Sequence, residues 1–199
     1  ASESEDDAIW RLHPERSLAI AHDTAWLLVG RGEAESDDGV SRQETLEKLN
    51  SFVDREGLDT LAELWSMADP VSLPGALWRL YQIRDQIHRR PDVMGDLVGR
   101  GIEALDTIDP IVVGASEPVT AEGVSAIIDE VLRGSFTGGL SEALVRASAL
   151  ARVIAAGLLH WPEPNESAEH EAALKSLRWD VVAGELADCA RREKTGQLR

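Results

Sequence analysis

Leu77, Tyr81, Arg84 and His88 are the one line of side chains in this 199-residue chain whose types and spacing could do chemistry together. Positions i, i+4, i+7 and i+11 fall within one narrow sector of an α-helix. There Arg84 could offer a forked donor to a carboxylate or phosphate, His88 a group that titrates near neutrality, and Tyr81 a hydroxyl. In that arrangement the line walls an anion-binding cleft between helices. The same residues also suit a core-edge ion pair with a stacked aromatic, because an arginine at the margin of a core either reaches water or meets a buried carboxylate. Asp69, Asp106 and Asp109, in the flanking segments, are the partners such a pair would use.

The segment that carries this line, Ser72 to Pro91, is the basic exception in an acidic protein. Residues 71–100 hold three acids and five bases, residues 1–70 hold 17 acids and six bases, and the whole chain has a net charge of −16. Ala76, Leu80, Ile83 and Ile87 share one helical face, with Trp78 on nearly the opposite side. A helix that is apolar on both sides is enclosed by neighbours or by a partner. Trp78 is therefore either covered within the chain, which makes this the central helix, or exposed as an anchor for a second copy or another protein. Trp65 is a second residue that such an exposed patch would contain. Arg79, Arg89 and Arg90 point in other directions and form no single patch for DNA.

Other chemistry finds little material. Glu166 and His170 share a face near a helix start, beside Glu169, but no two Glu-x-x-His pairs exist to build a di-metal bundle. His22-Asp23 and His160 are isolated, and no metal or cofactor is expected. No Gly-x-Ser-x-Gly elbow is present. The turn Gly134 to Gly139 lacks the Gly-Lys-Ser/Thr ending of a phosphate loop. Asp37-Asp38 and Asp129-Glu130 are adjacent pairs, which do not face each other on a helix and read as solvated groups. No residue is assigned a catalytic role. The single Cys189 excludes an internal disulfide and reads as a small buried hydrophobe.

Composition narrows the setting. With 43% hydrophobic residues the body of the chain can bury a core. Three charges, Glu142, Arg146 and Arg152, interrupt the most apolar run, Leu140 to Leu159, so it reads as a core helix and not a membrane span. The acidic start lacks a secretory pattern, and a cytoplasmic protein without membrane attachment is expected. A strong negative charge repels phosphate backbones, which disfavours ordinary nucleic-acid binding. It would attract a basic protein surface, or it simply keeps the protein in solution.

Turn and cap signals divide the chain into helices. The pattern predicts an acidic disordered tail over residues 1–8 and a single helical domain over 9–199. The first helix runs from Pro14 to Leu28, closed by Gly30, and the acidic stretch Arg31 to Val40 reads as a loop. Ser41-Arg42-Gln43-Glu44 is a capping box, and Gly57 ends the helix that follows it. A short helix with Leu61, Leu64 and Trp65 precedes the basic one. Pro91 opens a helix to about Asp106, in which Gly95, Gly99 and Gly101 would admit a close neighbour. Ile108-Asp109-Pro110 breaks the pattern. Thr120 caps a helix that ends at Gly134, and Asn165 caps the last, Glu166 to Lys194, with Ala173, Leu174, Leu177, Val181 and Gly184 toward the core. No strand alternation appears. The expected fold is all-α, one bundle of six to eight helices around a central helix near 74–90.

Four strings carry a resemblance: Leu61 to Trp65 (LAELW), Ser72 to Tyr81 (SLPGALWRLY), Ile108 to Pro110 (IDP) and Val131 to Gly138 (VLRGSFTG). Over roughly residues 45–195 the chain resembles a group of small actinobacterial helical proteins. Members of that group sometimes carry labels such as RNA polymerase beta subunit or thymidine phosphorylase. Neither label has support in these residues, which contain no aspartate triad and no glycine- and lysine-rich phosphate loop. The resemblance implies no activity and assigns no residue a role. Two functional expectations remain: an acidic interaction or regulatory module, or a small-molecule anion binder or enzyme with a pocket around Arg84 and His88.

Overall fold

A computed structural model of the chain describes residues 14–30, 41–105, 119–162 and 164–199. Among these residues are eight helices and no strand: α1 (Pro14–Leu28), α2 (Arg42–Glu56), α3 (Leu58–Trp65), α4 (Leu73–Arg89), α5 (Pro91–Ala104), α6 (Ala121–Leu132), α7 (Leu140–Leu159) and α8 (Glu166–Lys194). The fold is all-α. The tail expected over 1–8, the loop over 31–40, Asp106, and the Ile108-Asp109-Pro110 break lie outside the described residues.

Local chemistry sets the helix ends. The side chains of Ser41, Ser72, Thr120 and Asn165 each accept from the amide three residues on, at Glu44, Gly75, Gly123 and Ala168. Each bond satisfies one of the amides that a helix start leaves without a partner. Gly57 and Gly134 end their helices at φ 91° and 70°, a backbone region that side chains disfavour.

The basic helix α4 is the centre of the bundle, packed against α1, α3, α5, α6, α7 and α8. Its buried residues include Leu73, Ala76, Leu77, Leu80, Ile83 and Ile87. Burying one such leucine or isoleucine fully is worth about 1.5–3 kcal/mol. At its start, Leu73 N donates to the carbonyl oxygen of Arg199 at 2.8 Å, and Leu198 is buried. Gly75 sits so close to the preceding turn that a Cβ there would lie 2.0 Å from Asp69 O.

α5 crosses α7 in backbone contact. A Cβ on Gly101 would lie 1.9 Å from Val153 O, and one on Gly157 would lie 2.0 Å from Leu97 O. Of the three α5 glycines read as close-approach positions, only Gly101 serves that purpose; Gly95 and Gly99 face open space.

α8 differs more from expectation. It lies along α7 through Ala172, Ser176, Ala183, Leu186 and Ala190, whereas Leu174, Leu177 and Val181 are exposed. Small residues win the buried face because they let the two helices approach. Ser148 Oγ then reaches Ala183 O at 2.7 Å, and Ser176 Oγ reaches Ala155 O at 2.8 Å. Trp65 is fully buried, with Nε1 donating to Thr24 Oγ1 at 3.1 Å, so it cannot anchor a partner.

Candidate binding groove

The line Leu77, Tyr81, Arg84, His88 exists on α4, but its members serve different neighbours. Leu77 is core. Arg84 Nε donates to Asp129 Oδ1 on α6, and His88 Nε2 lies 3.1 Å from Ser125 Oγ and 3.9 Å from Asp129 Oδ2 on the same helix. Arg84 and His88 thus tie α4 to α6. Arg84's partner is Asp129, not the Asp69 proposed from sequence, and the adjacent pair Asp129-Glu130 is not simply solvated. A carboxylate on a neighbouring helix, distant in sequence, has no local signature.

Tyr81 and Trp78 serve other neighbours than α6. Their rings stack with centroids 5.5 Å apart and 19° between planes. The Tyr81 hydroxyl donates to Asp59 Oδ1 on α3 at 2.6 Å, which pins the ring against Trp78. Burial, and then the bond to Asp59, push the Tyr81 phenol up to about 12. Trp78 is half-buried, covered on one side by the core and open on the other.

That open side faces a groove of about 750 Å³ between α4, α5, the end of α7, and α8. This volume lies within the range of small-molecule sites. Its walls carry Trp78, Trp161 and Trp179, three of the six tryptophans in the chain. Arg100 lies over the Trp161 ring at 5.0 Å from its centroid. Four cations, Arg89, Arg90, Lys175 and Arg178, line the groove against one carboxylate, Asp85.

Two of those cations are already engaged. Arg89 pairs with Asp85 at 2.8 Å and Lys175 with Glu171 at 2.8 Å. Arg90 and Arg178 are exposed and form no ion pair among the described residues. Arg89 and Arg90, read from sequence as pointing away from any common patch, therefore share this groove with two bases from α8.

Sequence reasoning reached Trp78 and Tyr81 and missed the far wall. One signal was available: Lys175 and Arg178 sit four and one positions before Trp179, so a tryptophan with cations beside it was legible on the last helix. Among the described residues no three His, Cys, Asp or Glu side chains converge as metal ligands. None of their helices is long and apolar enough to cross a membrane.

The fold and groove together define a helical bundle with an aromatic-walled, cation-rimmed cleft on an acidic body. No family model matches the chain, and no curated protein or solved structure does so either.

Proposed function

We propose that the protein binds a small amphipathic anion in this groove: a flat apolar or aromatic body bearing a carboxylate or phosphate. The convergence of three tryptophans with Arg90 and Arg178, two cations that form no ion pair among the described residues, carries this reading. Indole faces suit a flat ring, and a guanidinium suits a bidentate oxyanion. Arg178 reaches the groove from α8 and Arg90 from the α4–α5 junction, so two different elements supply its cations. The groove is a local basic site on a chain whose overall net charge is −16, a field that disfavours anions elsewhere on the surface. A role in protein interaction rests on a different surface, the outer face of α8.

Calorimetric titration with naphthoate, naphthyl phosphate and the uncharged naphthalenemethanol tests the proposal. The two anions are expected to saturate one site and the alcohol to bind at least about tenfold more weakly. Loss of a charge-assisted hydrogen bond is worth about 1.5–3 kcal/mol, so Arg178→Ala should weaken the anions roughly 10- to 100-fold without altering the melting temperature. Equal affinity for the charged and uncharged probes, or no saturable site for any of them, overturns the proposal.

A further inference from the structure

Leu174, Leu177 and Val181 are 43%, 62% and 57% exposed on α8, opposite the face that packs on α7. They belong to a longer register. His170, Leu174, Leu177, Val181, Gly184 and Asp188 succeed one another at spacings of four, three, four, three and four, the period of a helix-pairing seam. The spacing reads the same in both directions, with its centre at the level of Trp179.

We infer that α8 pairs with α8 of a second copy of this chain as an antiparallel, two-fold helix pair. A two-fold interface requires a surface that complements itself, each contact occurring twice. Reversing α8 about its centre sets Leu177 against Val181, Leu174 against Gly184, and His170 against Asp188. A large residue meets a small one where Leu174 faces Gly184, whose missing Cβ leaves open space on this chain. The helix begins with Glu166 and Glu169 and ends with Arg191, Arg192 and Lys194. Antiparallel pairing therefore lays an acidic start along a basic end, with Glu166 near Lys194, and opposes the two helix dipoles.

The pairing leaves a few rim contacts unsatisfied. Asp180 and Arg178 each approach their own copies near the axis, but both side chains are exposed and can turn to water. Glu171 and Glu185 also come near each other across the seam, and each is held by a cation of its own chain, Lys175 and Arg79. Arg178 is shared between the edge of this pairing and the groove, whose other lining residues lie off the seam.

Sedimentation equilibrium of the full chain tests it. A single species of twice the 21.7 kDa chain mass is expected at micromolar concentration. Leu177→Glu should raise the dissociation constant at least about a hundredfold, since the substitution enters the interface twice. Its helical circular dichroism should stay unchanged, because Leu177 is exposed in the single chain. The register has its own readout: a mixture of L177C and V181C should cross-link on mild oxidation, whereas L174C alone should not. A monomer at every concentration, a dimer indifferent to Leu177→Glu, or rapid self-cross-linking of L174C would each overturn the inference.

Discussion

Arg84 on α4 and Asp129 on α6, 45 positions apart in the chain, are joined through the arginine Nε. The pair takes Arg84 away from any ligand and uses it to hold the central helix to α6. Its side chains are 24% and 36% exposed, so the bond is worth about 1 kcal/mol and not the several of a fully buried pair. Arg84→Ala is expected to lower unfolding stability in urea by about that amount. It should leave the titration of naphthoate unchanged, because the groove opens on the other side of α4.

The α5–α7 crossing should respond sharply to a single methyl group. Gly157→Ala places a Cβ against Leu97 O, a rigid backbone atom, so the helices must separate; the expected loss is about 1–3 kcal/mol by denaturant unfolding. Gly99→Ala, on the same α5 but facing open space, should instead add about 0.5–1 kcal/mol by relieving the cost of glycine in a helix. Opposite signs from two chemically identical substitutions would identify close approach as the cause.

Tyr81 is the sole tyrosine, so its ionisation can be followed by absorbance without interference from another phenol. Burial and the bond to Asp59 push its phenol up to about 12, against about 10 for a free tyrosine. Between these values the unfolded chain has released a proton that the folded chain keeps. The contribution to stability is thus complete below about pH 10 and is lost as pH climbs through about 12. Asp59→Asn removes the carboxylate charge and should move the absorbance midpoint toward 10. Tyr81→Phe should flatten this part of the alkaline stability profile.

Cys189 is the sole cysteine and is buried, its thiol pushed up to about 11 by burial. Sγ donates to Pro70 O at 3.6 Å, under the turn that leads into α4. A thiol both inaccessible and protonated at neutral pH reacts only through opening of the fold. Disulfide-exchange reagents should label it at least about a thousandfold more slowly than the denatured chain. Added denaturant should raise the rate in step with unfolding.

Helix limits were legible in the sequence because caps and breakers act within a few residues. Ser72, Thr120 and Asn165 bond to amides three positions away, and Gly57 and Gly134 take backbone angles that glycine alone tolerates well. The place of α4 was legible too, since apolar residues on two sides of a helix require neighbours on two sides. The helical spacing of Leu77, Tyr81, Arg84 and His88 could be read from the sequence, but not the partners Asp59, Asp129 and Ser125 that the polar three meet.

Facing and partnership belonged to the tertiary structure. On α8 the larger apolar residues Leu174, Leu177 and Val181 lost the core to Ala172, Ser176 and Ala183, because the gain from close helix approach depends on the opposing surface of α7. The groove assembles Trp78, Trp161 and Trp179 from segments up to a hundred residues apart, a distance across which no local periodicity carries information. Propensity and capping act along the chain and can be read from it. Packing and electrostatic partnership act across space and exist only once the helices have met.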